Sequence, residues 1–153
     1  MASRVKVYLV LGANGGIGSD LCKRLLGGGG KVAVACRNET SMAQLVENLR
    51  ASGGTEENVM SSQKLRASGG TDENVMSSQV DVTDPAQIEA CVKAVLAKYG
   101  RVDGAVNCAG SIVLKPGHLT SEDEFNETLR VNLNSSFSLL RSVARPMMKQ
   151  KVA

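Results

Sequence analysis

An apolar run at residues 5–11 gives way to Gly12-Ala13-Asn14-Gly15-Gly16-Ile17-Gly18, and a helical pattern starts inside that glycine segment. Few folds accept such a turn. Glycine lets a backbone take left-handed conformations and pass close to other groups. A helix that opens there presents N–H groups without partners, together with the positive end of its dipole. The place for such a turn is between a buried strand and a helix packed on the same sheet.

The pattern then repeats. Residues 16–26 read as a helix with Ile17, Leu21, Cys22 and Leu25 on one face, closed by the glycines at 27–30. Residues 31–36 read as a second strand, and 39–51 as a second helix with Met42, Leu45, Val46 and Leu49 inward. A third strand is expected at 75–82. Asp84-Pro85-Ala86-Gln87 then opens a helix to about Tyr99, with an Asp cap, Pro in the first turn and Gln placed for a capping box. Residues 102–107 supply a fourth strand. Ser121 and Glu124 form another capping box, opening a long helix to around Lys149. Its residues Phe125, Leu129, Leu133, Phe137 and Leu140 make one apolar stripe, with Val131, Leu139 and Val143 off it, so more than one side is expected to touch a neighbour.

Strands alternating with helices predict an α/β fold: a Rossmann-like, doubly wound parallel sheet of order 3-2-1-4. It is a single partial domain over residues 1–153, truncated after the fourth strand and its long helix, and the fourth strand is expected to be an open edge. A core for such a sheet has to come from aliphatic residues, since aromatics are only 3% of the chain and Trp is absent.

One block breaks the alternation. Residues 48–63 (NLRASGGTEENVMSSQ) recur at once as 64–79 (KLRASGGTDENVMSSQ), a tandem duplication altered only at Asn48/Lys64 and Glu56/Asp72. The second copy runs into Val80-Asp81 and is expected to supply the third strand. The first is expected to continue the second helix and then bulge as a loop, at little cost in closure entropy.

Several classes of function are disfavoured. The net charge of +3 is small and the basic residues are dispersed, which does not suit nucleic acid. No apolar run approaches the ~20 residues that span a bilayer, and no signal-peptide pattern stands at the start. Cys22, Cys36, Cys91 and Cys108 form no CxxC pair, and His118 is the single histidine, so no metal-site spacing occurs. A cytoplasmic location follows as the expectation, or an organelle interior if a leader has been removed.

Two segments carry chemistry. Gly12, Gly16 and Gly18 suit a backbone that must approach a pyrophosphate at a helix N-terminus, though the GxxxGxG spacing differs from GxGxxG and an ordinary tight turn is the plain alternative. At the end of the second strand, where a carboxylate would hold a ribose 2′-OH, the chain has Arg37-Asn38. A guanidinium there can meet a 2′-phosphate bidentately, which points to NADP over NAD. A solvated loop arginine is the alternative.

With these segments the chain resembles the N-terminal part of the short-chain dehydrogenase/reductase family, in particular its ketoacyl reductases. Gly12-x-x-x-Gly16-x-Gly18 matches the family's TGxxxGxG, with Leu11 in place of Thr. Asp81-Val82-Thr83-Asp84 matches the stretch after the third strand, Asn107-Cys108-Ala109-Gly110 matches NNAG with Cys108 replacing Asn, and Arg130-Val131-Asn132-Leu133 carries the family's helix Asn. The resemblance implies cofactor contacts by Gly12, Asn14, Gly15, Gly16, Ile17, Gly18, Arg37, Asn38, Asp81, Val82, Asn107, Ala109 and Gly110, and a proton-relay role for Asn132. It also implies hydride transfer between a nicotinamide and a carbonyl or alcohol by a Ser, a Tyr and a Lys. No YxxxK occurs in these residues, and Tyr8 and Tyr99 lie in a strand and at a helix end. The chain alone is therefore expected to bind a dinucleotide without catalysis. A non-catalytic interaction protein is the alternative: it would dock through the open strand edge and the long helix, onto a second copy or a full-length relative.

Overall fold

The computed structural model describes residues 4–51 and 75–150. Four strands form one parallel sheet in the order β3-β2-β1-β4: β1 (Val7–Leu11), β2 (Lys31–Cys36), β3 (Val75–Gln79) and β4 (Gly104–Asn107). β1 pairs in register with β2, from Val7 beside Lys31 to Leu11 beside Ala35, and with β4, from Tyr8 beside Gly104 to Leu11 beside Asn107. The expected order is the observed one. Three strands are shorter than their apolar runs, because residues 5–6, 80–82 and 102–103 flank the ladder without joining it. Asp103 closes that entrance: its carboxylate accepts the Val7 N–H at 2.8 Å and pairs with Arg101.

The side-chain alternation of a strand, with period two, sorts the core into two layers. Val7, Leu9, Leu11, Ala33 and Ala35 face one helical layer, where they meet Ile88, Val92 and Val95 of α3 (Pro85–Tyr99) and Leu139 and Val143 of α5 (Ser135–Lys149). Val10, Val32, Val34 and Val75 face the other layer, with Cys22 and Leu26 of α1 (Gly16–Gly27) and Leu45, Val46 and Leu49 of α2 (Glu39–Ala51). The inward residues expected of α2 are all buried. Copy two of the duplication supplies β3, and copy one begins inside α2. The loop expected of copy one lies outside the described residues.

Three expectations are corrected. Ile17 is 82% exposed, not inward: α1 buries Gly18, Cys22 and Leu26, so its packed face is rotated by one residue, with Leu21 and Leu25 at the margin. Asp84 does cap α3 by accepting the Ala86 N–H, but Gln87 does not complete the box, since its side-chain oxygen accepts the Asp81 N–H instead. The long helix is also not uniform. α4 (Glu122–Leu129), capped by the expected Ser121–Glu124 box, runs into a π-helical turn at Arg130–Asn134 and only then into α5. Its apolar stripe turns outward, with Phe125 58%, Leu133 60%, Phe137 63% and Leu140 61% exposed. The off-stripe Leu139 and Val143 make the core.

Candidate functional site

The C-terminal ends of the four strands converge on one groove of about 310 Å³. Its lining brings together Gly12, Asn14, Gly15, Arg37, Asn38, Asp81, Val82, Ala109 and Gly110, from four separate stretches of sequence. Cys36, Val80, Thr83, Cys108, Ser111 and Val131 line it as well and were not expected there. Each of the six directly follows or precedes an expected residue, or lies beside Asn132. Open α/β sheets place their crevice outside the carboxyl ends of the strands, where the strand order reverses. Here the reversal falls between β1 and its two neighbours, at the glycine turn.

The glycines of the turn serve different ends. Gly12 has φ +67°, and a Cβ on it would lie 2.4 Å from the Ala109 nitrogen. A Cβ on Gly18 would lie 2.5 Å from the Gly12 carbonyl oxygen. Both are demanded by the protein's own backbone, so Gly18 is buried under the turn and does not line the groove. Gly16 is different: a Cβ there meets nothing within 4 Å, and at Gly15 it meets only the Gly12 oxygen at 3.5 Å. Gly15 is the N-cap of α1 and offers no side-chain cap, and no acidic residue stands in the first turn. The helix start thus keeps its positive dipole end uncompensated by any side chain, and its N-cap Gly15 lines the groove. Gly16 and Ile17 line a neighbouring recess with Asp20, Leu21, Val106 and Cys108, and Cys108 lines the groove as well.

The other strand ends are held by local hydrogen bonds. Asp81 Oδ1 accepts both the N–H (2.9 Å) and the hydroxyl (2.8 Å) of Thr83; these bonds, with the Arg37 charge nearby, outweigh burial and hold its carboxyl below the ordinary range. Arg37 is exposed, and its carbonyl accepts the Gln79 side-chain amide at 3.1 Å, which ties β2's end to β3's. Asn38 starts α2 by accepting the Ser41 N–H on its side chain at 3.0 Å. Burial pushes the thiols of Cys36 and Cys108 up, so both are neutral walls of the groove.

Asn107 stands just behind the lining. Its amide donates to the hydroxyls of Ser135 (2.8 Å) and Ser136 (3.0 Å) and its oxygen accepts the Ala109 N–H at 3.0 Å. Asn132 lies in the π-helical turn. Its amide donates to the carbonyls of Ser111 (2.8 Å) and Thr128 (3.0 Å), and its oxygen accepts the Ser111 N–H at 3.1 Å. It therefore clips Ser111 at both main-chain groups. A Cβ on Gly110 would come within 3.2 Å of that same oxygen. Ser111, Ser135 and Ser136 were missed; small hydroxyl residues around a polar residue in a helix were the available signal. His118 sits exposed in a short 3₁₀ turn, Gly117–Leu119, away from the lining. Among the described residues, no group of three metal-ligating side chains occurs and no helix is long and apolar enough to cross a membrane.

Fold and groove together define an α/β protein of the doubly wound class with a crevice at the carboxyl ends of its strands. The family model described as short chain dehydrogenase matches residues 6–153, and the chain belongs to that family. It is 30% identical over 151 residues to the 3-oxoacyl-[acyl-carrier-protein] reductase FabG of Salmonella typhimurium, covering 99% of this chain and 53% of that one. It is 28% identical to D-threitol dehydrogenase of Mycolicibacterium smegmatis, over 94% of this chain and 48% of the relative. The chain spans about half the length of these curated relatives. Among solved structures, an actinorhodin polyketide ketoreductase with NADPH superposes with a TM-score of 0.77 at 28% identity, over 96% of this chain and 49% of the other.

Proposed function

We propose that this chain is the NADP(H)-binding portion of a short-chain dehydrogenase-type oxidoreductase. The observation that carries the reading is the pair Gly15 and Gly16: no protein contact requires their missing side chains, yet they flank an uncapped helix start beside the groove. A pyrophosphate accounts for both, because it needs bare backbone and accepts the free N–H groups. Gly12, Asn14 and Ile17 border the same turn, and Gly18 lets the turn lie flat on α1. Arg37 and Asn38 stand at the ribose end, Asp81 and Val82 at the adenine edge, and Asn107, Ala109 and Gly110 keep the inner wall small. When bound, NADP(H) would supply the hydride exchanged with a carbonyl or alcohol.

NADP is favoured over NAD because the end of β2 offers Arg37 and no carboxylate. Two similar structures carry NADPH and 5-hydroxy-NADP, the latter with an alcohol dehydrogenase of Thermococcus sibiricus. Arg37→Asp is expected to weaken NADPH binding by about tenfold or more, the worth of one charge-assisted contact, and to leave NADH unharmed. Equal loss of both cofactors would refute the assignment. The 153 residues contain no YxxxK, and a positioned general acid is worth about 10²–10⁴ in rate. NADPH mixed with this chain and a panel of ketones is expected to be consumed no faster than in buffer. Asn132, its amide committed to Ser111 and Thr128, would act here by positioning the groove wall, with any relay role resting on that placement.

A second reading rests on the outward stripe of Phe125, Leu133, Phe137 and Leu140. An apolar face of that length suits a second copy or a longer relative. Sedimentation that finds a monomer at every concentration would sink self-association.

A further inference from the structure

The end of the sheet opposite the groove carries positive charge that the dinucleotide leaves unused. A recess of about 440 Å³ opens there, between the start of β1, the last turn of α1 and the glycines that lead into β2. Alternation with period two puts Arg4, Lys6 and Tyr8 on one side of the chain, and all three line the recess. Arg24 lines it from α1. Its Nε donates to Asp20 Oδ2 at 2.7 Å, one turn back along the helix, which leaves the terminal guanidinium nitrogens for another acceptor. Asp20 itself lies outside the lining, and among the described residues no carboxylate lines the recess. Cations gathered in this way repel one another, and an anion between them relieves the repulsion.

Packing fixes the rest of the recess. The Tyr8 ring lies between two glycines: a Cβ on Gly30 would stand 2.8 Å from Tyr8 Cε2, and one on Gly104 2.9 Å from Tyr8 Cδ1. Gly28, Gly29 and Gly30 donate their N–H groups to the carbonyls of Arg24, Leu26 and Leu25, at 3.0, 2.9 and 3.0 Å. The loop thus caps the negative end of α1, and oxygens that would repel an anion are already engaged. Arg4's charge also bears on Asp103, whose carboxylate is committed to the Val7 N–H and to Arg101. The donors left for a ligand are the side chains of Arg4, Lys6 and Arg24, with Val5, Leu25 and the Tyr8 ring as apolar surface beside them.

We propose that this recess is an anion site of its own, which takes a phosphate group through Arg4, Lys6 and Arg24, either as the free ion or as the monoester of a small molecule. Phosphate suits it because the group is compact, carries up to about two negative charges at neutral pH, and accepts hydrogen bonds from guanidinium and ammonium groups at once. The site is separate from the groove. α1 starts at the groove and ends at the recess, and its 12 residues at about 1.5 Å each set the two about 18 Å apart.

Titration of the isotope-labelled chain with inorganic phosphate, followed residue by residue by NMR at constant ionic strength, tells the two ends of α1 apart. It needs no dinucleotide, so its outcome is independent of the function proposed above. Saturable shifts are expected in the amides of Lys6, Tyr8, Gly28, Gly29 and Gly30. Shifts confined to Gly15 and Gly16, or a response that chloride at the same ionic strength reproduces, would overturn the proposal. Lys6→Gln and Arg24→Gln alter exposed side chains, and each is expected to weaken phosphate binding at the recess by about tenfold, the worth of one charge-assisted contact. Undiminished affinity in both variants would overturn it as well. Phenyl phosphate distinguishes the two sources of the group. Tighter binding than inorganic phosphate assigns the recess to an ester whose body rests on Tyr8, equal binding assigns it to the free ion, and both support the phosphate site.

Discussion

At the glycine turn, backbone presses on backbone; along α4 and α5, side chains meet either the sheet or solvent, and nothing in their spacing says which. Gly12 and Gly18 are fixed by atoms 2.4 and 2.5 Å from where a Cβ would stand. Phe137 and Leu139 are two residues apart on one helix, and the larger is 63% exposed while the smaller is 5% exposed. A residue type demanded by a close approach is legible wherever it occurs. An apolar stripe reveals that a helix has a face, and only the neighbours reveal which partner that face meets.

The comparison can be broken first at the turn. Gly12→Ala combines a left-handed backbone with overlap against β4's end, and is expected to cost about 4 kcal/mol or more, while Gly16→Ala changes stability little and weakens NADPH binding. Thermal unfolding with calorimetric titration measures both, and a stable Gly12→Ala chain would contradict the close approach. In the helix, Leu139→Ala is expected to cost about 3 kcal/mol through an unfilled cavity, and Phe137→Ala less than about 0.5 kcal/mol in the monomer. Equal losses in urea unfolding of dilute protein would mean that the stripe packs inward after all.

The smallest effect is electrostatic. Glu124 is held down to about 2 from its ordinary 4.5, first by Lys115 and then by the Ser121 N–H. A carboxyl depressed in the folded chain stabilises it above the unfolded pKa, and that contribution fades as pH falls from about 4.5 towards about 2. Glu124→Gln is expected to flatten the acid limb of the stability curve in that window. The side chain is exposed to solvent, so the effect is slight and salt-dependent. An unchanged acid limb would remove the Lys115–Glu124 pair from the account.

The strand order, the cap at Ser121 and the buried face of α2 were all legible in the sequence, because alternation, capping chemistry and helical spacing are local. Nine of the thirteen expected cofactor residues line the groove for the same reason: they sit at strand ends, and a parallel sheet brings strand ends together. What could not be read was non-local. Gln87 turned to Asp81 because the chain folds back there. The clip from Asn132 to Ser111 joins residues 21 apart in sequence, through a π-helical turn that no spacing announces. The face of α1 was off by one residue, since Gly18, not Ile17, touches the turn.

The central claim is that the bare helix start and Arg37 hold a 2′-phosphorylated dinucleotide. Calorimetric titration of the chain with NADPH, with NADH as comparison, tests it most directly. The account predicts saturable binding at one site per chain, tighter for NADPH. A chain that is folded by circular dichroism and binds neither dinucleotide would contradict it.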